Sequence, residues 1–279
     1  MSAPPMAERA PSRLRWVRSN IAIALANLIR RPRGRAQPIW RAYTRVAVGA
    51  AIATVVLLAV MIFVDAAAIR VAKQAPAWLV EPFQFVTDFG RSGWFLIPLG
   101  ALLLAIALVS SPPLSRLGQL VLASLSVRLG FLFLAIALPG LVVTVAKRIV
   151  GRARPVVAGE DVFLYKFLLW RADYASFPSG HATTAFSVAV AFGALWPRLR
   201  PLLWTYAVVI ALSRIIVTAH HPSDVLAGAI AGAVGALLVR DWLAARHLGF
   251  LIRADGTVDP MPGPSWVRIK RVARSLFGQ

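Results

Sequence analysis

Six apolar stretches constrain this chain more than any other feature. They cover residues 46–69, 94–109, 129–146, 182–196, 202–219 and 225–242. A bilayer core is crossed by about 20 apolar residues of helix, with a usable range of roughly 17–25. Inside lipid every backbone polar group needs an internal partner, which a helix supplies from its own chain. The stretches 94–109 and 182–196 are short but carry no charge. Hydrophobic residues make up 58% of the chain and charged residues 15%, against roughly 45–50% and about 25% in soluble domains. That excess is gathered into the six runs, so it serves a bilayer rather than an enlarged soluble core. The fold class is therefore all-α: a polytopic membrane protein whose residues 46–244 form a six-transmembrane-helix bundle. The first run starts too late and is too long for the apolar part of a cleavable signal peptide.

Charge sets the expected orientation. The formal net charge is +20, and ten arginines from Arg9 to Arg45 precede the first run against one acid, Glu8. Positive flanks stay on the cytoplasmic side, so the arm 1–45 is expected inside, with the tail 245–279 and its Arg268, Lys270, Arg271 and Arg274 beside it. Loops 70–93, 147–181 and 220–224 then face outward, which in a bacterial cytoplasmic membrane is the periplasm. Residues 14–31, with Trp16, Ile21, Ile23, Leu25, Leu28 and Ile29 among arginines, read as an interfacial amphipathic helix on anionic lipid. The polar, Pro- and Gly-rich tail is expected outside the bundle, and Arg128 is taken as the edge of the third span. No basic soluble domain suited to nucleic acid is visible. With no cysteine in the chain, disulfides, thiolate metal sites and thiol nucleophiles are excluded.

Three short blocks carry the chemistry. Lys147, Arg154 and Pro155 read K-x6-R-P; Pro178, Ser179, Gly180 and His181 read P-S-G-H; Ser213, Arg214, His220 and Asp224 read S-R-x5-H-x3-D. Each block falls at the outward end of an apolar run, so the bundle brings them to one face. Lys147, Arg154 and Arg214 offer charge and forked donors to phosphate oxygens. Ser179 and Gly180 open the fourth helix, where free N–H groups and the dipole favour an anion. His220, four residues before Asp224, is the nucleophile expected to attack phosphorus, because a carboxylate can fix its tautomer and stabilise the charged ring. His181 is left as general acid and then general base. Two histidines and an aspartate are also zinc ligand types, but three surrounding cations would repel a dication. No metal and no cofactor is expected. Arg128, Arg148, Arg152 and Arg171 read as membrane-edge charges, His221 as a residue that shapes its loop, and His247 as incidental. Gly228, Gly232 and Gly235 read as close helix packing.

These blocks resemble the three-part signature of the type 2 phosphatidic acid phosphatase (PAP2) superfamily, with every position filled over residues 129–242. The resemblance implies hydrolysis through a covalent phosphohistidine, independent of divalent metal, on a lipid phosphate substrate. Its bacterial membrane branch includes phosphatidylglycerophosphate, undecaprenyl diphosphate and lipid A phosphatases, while the related vanadium haloperoxidases are soluble. Phe163, Phe167 and Trp170, in the apolar loop 156–177, are candidates for guiding a lipid to the site. A phosphotransferase would use the same residues. A lipid-phosphate transporter would instead predict mid-membrane charges and matching halves, and neither is present.

Overall fold

The computed structural model describes residues 13–32, 39–110, 114–159 and 161–277. Its helices in chain order are α1 (Arg13–Ile29), α2 (Ile39–Phe63), α3 (Asp65–Lys73), α4 (Ala77–Thr87), α5 (Gly93–Val109), α6 (Arg116–Val150), the single turn α7 (Pro155–Ala158), α8 (Gly180–Leu195), α9 (Arg200–Ile216) and α10 (Pro222–Ala244). A two-stranded antiparallel hairpin, β1 (Phe250–Ile252) and β2 (Val258–Pro260), and a last helix α11 (Trp266–Phe277) follow. The protein is thus an all-α membrane bundle apart from one small hairpin. Part of the N-terminal arm, residues 1–12 and 33–38, lies outside the described residues.

Among the described residues five helical segments are long and apolar enough to cross a bilayer, not six: Val46–Phe63, Ala77–Val109, Arg116–Val150, Pro197–Ile216 and Pro222–Ala244. The remaining apolar run forms α8, only 16 residues, or about 24 Å at 1.5 Å per residue. It can be short because it sits in the middle. Ala182, Ala185, Ala189, Ala191 and Ala194 of α8 are buried, as are Phe131, Leu132, Ala135 and Ile136 of α6, Ala207 and Ile210 of α9, and Ala236 and Val239 of α10. Small residues let these backbones close up without a solvent-driven force. A Cβ placed on Gly228 would lie 2.3 Å from the Ser179 carbonyl oxygen, one on Gly232 2.2 Å from that of Thr183, and one on Gly235 2.5 Å from Pro139 Cγ. The three glycines are close-packing positions, as their spacing suggested. Conversely, no residue of the 46–63 window is buried, so the first span lies at the rim, facing lipid.

Three boundaries differ from expectation. The second span was expected at 94–109 after an outward loop 70–93, but the apolar helical segment begins at Ala77 and takes in α4. Arg128 does not end a span: α6 runs through it for 35 residues, and its guanidinium is satisfied by Ser124 Oγ at 2.6 Å and the Met261 carbonyl at 2.5 Å. The tail, in turn, is not outside the bundle. Phe250 is buried edge-on against Phe131, with ring centroids 4.8 Å apart, so the hairpin packs against the side of α6 near its middle. Helix α1 docks through Asn20, whose amide donates to the Ser110 carbonyl at 2.8 Å, and leaves Ile21, Ile23, Leu25 and Ile29 exposed.

Candidate active site

Five chain segments end at one pole of the bundle. Helix α6 stops there because Gly151 takes a left-handed conformation (φ 60°) and returns its N–H to the Lys147 carbonyl at 3.1 Å. The Lys166 carbonyl lies only 1.8 Å from where a Cβ would stand on Gly151, so no other residue fits. Helix α8 starts there, and Ser179 N–H donates to the Asp224 carbonyl at 2.9 Å, joining the P-S-G-H block to the start of α10. Helix α9 ends there with the Ala219 and His220 N–H groups both returning to the Arg214 carbonyl at 3.1 Å. His221 caps α10 and Pro222 fills its first turn. The end of α2 and start of α3 complete the pole, since Asp65 is buried within it.

The structure brings together Lys147, Arg154, Ser179, Gly180, His181, Arg214, His220 and Asp224. Lys147 Nζ hangs over Gly180, 3.1 Å from a Cβ position there. Lys147, Arg154 and Arg214 act on one another electrostatically, and His181 feels Arg214, His220 and Lys147. Arg214 donates through Nη1 to Thr87 Oγ1 at 2.6 Å. Among the described residues, four of the six buried side-chain polar atoms without a hydrogen-bond partner belong here, Arg148 Nη1, Arg154 Nε, Ser179 Oγ and Arg214 Nε, the other two being Arg30 Nε and Arg246 Nε. Buried donors are normally satisfied. Unpaired ones beside three cations and a helix N-terminus are chemically suited to a multiply charged anion.

His220 and Asp224 are buried. His220 Nδ1 lies 3.7 Å from Asp224 Oδ2, outside direct hydrogen-bond range. Ser176 stands between them, donating to Asp224 Oδ2 at 2.5 Å while its oxygen sits 3.5 Å from His220 Nδ1. Burial pushes the His220 imidazole down to about 4, Arg214 and Arg154 adding to the effect and Asp224 opposing it. Burial likewise holds the Arg154 guanidinium below its ordinary value, although Asp224 opposes this. Against its own burial, Arg152 is raised by Asp224 and Asp65.

Arg152 is the main correction at the site. It is not a membrane-edge charge but fully buried. Its Nη1 donates to Asp224 Oδ1 at 2.7 Å and Ser223 Oγ at 2.7 Å, its Nη2 to Asp65 Oδ2 and the Val162 carbonyl, both at 2.8 Å, and its Nε to that carbonyl at 3.1 Å. With all five donors engaged, it holds protein groups and has none left for substrate. His221 shapes its loop as expected, its backbone N–H donating to Asp224 Oδ2 at 2.9 Å and its Nδ1 lying 3.2 Å from that oxygen. Arg171 stays exposed, paired with Asp173. Sequence reasoning gave no site role to Asp65, Thr87, Ser176 or Ser223. Only Asp65 left a signal, as the one carboxylate interrupting the first apolar run. Phe163, Phe167 and Trp170 are exposed on their loop rather than gathered into the pocket. Leu168 N–H fastens that loop to the Ile149 carbonyl at 3.0 Å, and Arg148 sits over the Trp170 ring at 6.0 Å.

Comparison with known proteins identifies the family. Residues 128–248 match the sequence profile of the PAP2 superfamily. A lipid A 1-phosphatase of Rhizobium johnstonii is 31% identical over 207 residues, spanning 73% of this chain and 80% of that protein. A lipid A 1-phosphatase of Rhizobium etli is 33% identical over 187 residues, spanning 66% and 80%. The crystal structure of Aquifex aeolicus LpxE superposes with a TM-score of 0.45 at 26% identity, covering 61% of this chain and 91% of that one. The chain belongs to the PAP2 superfamily and is a membrane-embedded phosphatase.

Proposed function

We propose that this protein hydrolyses a phosphomonoester or diphosphate carried by a membrane lipid, on the outer leaflet of a bacterial cytoplasmic membrane, through a phosphohistidine and without a metal ion. The observation that carries the reading is the set of unpaired cationic donors around Gly180, facing two histidines of which one is buried beside a carboxylate. Ser176 gives its only proton to Asp224, so toward His220 it can only accept. The neutral imidazole therefore keeps its proton on Nδ1 and offers the Nε2 lone pair. That lone pair attacks phosphorus, the P–O bond to the lipid breaks, and His181 protonates the departing oxygen. His181 next takes a proton from water as the water oxygen attacks phosphorus. The P–N bond then breaks and inorganic phosphate leaves. Lys147, Arg154, Arg214 and the Ser179–Gly180 helix start stabilise charge on the equatorial oxygens.

A lipid substrate is supported by the pole lying at the end of membrane-crossing helices and by the names of the relatives; candidates are lipid A phosphate, phosphatidylglycerophosphate, phosphatidic acid and undecaprenyl diphosphate. Exposed Phe163, Phe167 and Trp170 suit an apolar rim that steers a chain toward it. The orientation is supported by the basic arm and the tail both joining the bundle at the pole opposite the histidines. Anionic lipids are the expected partners of that arm. The test is phosphate release from purified lipid phosphates in EDTA, with a soluble phosphomonoester alongside. Turnover of the lipids is expected to persist in EDTA, and F163S/F167S/W170S to lose far more activity on a long-chain lipid than on a short-chain analogue. A divalent ion requirement, or preference for the soluble ester, refutes the corresponding part.

A further inference from the structure

We propose that Asp65, the first residue of α3 just past the first span, is a positioning residue of the phosphatase reaction: through Arg152 and Ser223 it fixes the carboxylate of Asp224 and keeps a surplus negative charge beside His220. The inference rests on the reading of His220 as nucleophile, and it extends the catalytic machinery beyond residues 128–248, the part that matches the family.

Both Asp65 oxygens are committed. Oδ1 accepts from the Ser223 N–H at 2.9 Å, and Oδ2 accepts from Ser223 Oγ at 2.5 Å and Arg152 Nη2 at 2.8 Å. The planar guanidinium passes that placement to Asp224 Oδ1 at 2.7 Å. Asp224 Oδ2 is thereby left to Ser176, His221 and His220. Asp65, Arg152 and Asp224 all have fully buried side chains. Two carboxylates on one guanidinium leave this triad one net negative charge, with Arg154 the next cation acting on Asp224.

A pin whose task was only to hold the first span would need a single carboxylate, and uncompensated buried charge is destabilising. Here the surplus adjoins the ring that turns cationic when it takes the phosphoryl group. The groups facing that ring are Asp224 of α10, Arg214 of α9, His181 of α8, Arg154 after α6 and the Ser176 hydroxyl. Among the charged ones only Asp224 favours a cationic imidazole, and Asp65 keeps Arg152 from cancelling it.

The full-length protein is purified in detergent with Asp65→Asn, Asp65→Glu, Ser223→Ala and His220→Ala, and assayed on a lipid phosphate across the acid limb of its pH profile. D65N is expected to lower kcat about 10–100-fold, the range that loss of an outer carboxylate partner gives for histidines in metal sites, with KM little changed. Its acid limb moves to lower pH, because losing the negative charge disfavours the protonated ring. D65E restores the limb. A folded D65N with wild-type kcat and limb overturns the inference, as does a loss that follows only the folded fraction. Should D65N not fold, S223A, which removes one hydroxyl and no charge, carries the test: a drop of about tenfold supports the linkage, and wild-type kcat overturns it. Turnover surviving in H220A refutes the nucleophile assignment itself, whatever D65N does.

Discussion

Replacing Gly228 with Ala tests whether the close approach of α8 and α10 sets the geometry of the site. A methyl group there would stand 2.3 Å from the Ser179 carbonyl oxygen and 3.2 Å from Ala182 Cβ, where ordinary contact begins at 3.4 Å. Relief requires α8 and α10 to part by about 1 Å, since the obstacle is backbone and cannot rotate away. Overpacking of this kind costs roughly 1–3 kcal/mol, against a gain of at most about 1 kcal/mol from replacing Gly within a helix. The steric term therefore wins or draws on stability, and the larger effect falls on rate. Ser179 and Asp224 are joined across this seam by the 2.9 Å bond from the Ser179 N–H, so parting the helices displaces the anion pocket relative to His220. A displacement of about 1 Å can cost about 100-fold in rate, or about 2.7 kcal/mol of transition-state stabilisation. Phosphate release and thermal unfolding in detergent separate the two effects. Gly140→Ala is the control, because nothing lies within 4 Å of a Cβ there. Near-wild-type turnover in G228A would refute the claim that this contact positions the site.

H220A is expected to abolish both turnover and acid-labile labelling from a phosphate-labelled lipid. His181→Asn should slow both formation of the label, for want of an acid at the leaving oxygen, and its hydrolysis, for want of a base on water, and label trapped on His181 in the wild type would reverse the two roles. Burial holds His220 down at about 4, so the ring is neutral and nucleophilic above that pH and protonated below it. The acid limb of kcat/KM should therefore fall as pH drops through about 4 in the free enzyme, and a limb near the ordinary histidine value of about 6.5 would contradict the burial. Val156, 77% exposed beside Arg154, suits a single cysteine in a chain that has none. V156C should react with an impermeant maleimide from the periplasmic side, and protection until the inner membrane is opened would invert the topology.

The three motif blocks were legible because their chemistry is local: Lys147, His181 and His220 each adjoin an apolar run, and Arg214 lies near the outward end of one. Arg152 was not, because nothing in a sequence distinguishes an arginine that snorkels from one whose five donors are all filled by distant partners. Asp65, Ser176 and Ser223 escaped for the same reason: Ser176 meets Asp224 across 48 residues, and Asp65 meets Ser223 across 158. Hydropathy likewise marked the run that became α8 without showing that it sits at the centre of the bundle, where a helix need not reach both surfaces. Arg128 broke the apolar pattern and so looked like a boundary. It is tolerated within α6 because the Met261 carbonyl, more than a hundred residues away, meets it.

The buried link between the first span and the site also has a schedule. Asp65 leaves the ribosome 87 residues before Arg152 and 158 before Ser223. At about 5–20 residues per second, the wait for Arg152 alone is about 4 to 17 seconds. Throughout that interval a span with no buried residue in its apolar window stands in the bilayer with its carboxylate unmatched. It can be anchored only when the later helices arrive. Assembly and competence for chemistry thus finish together, and a newly inserted chain cannot act on the lipids around it until its first helix has been gathered in.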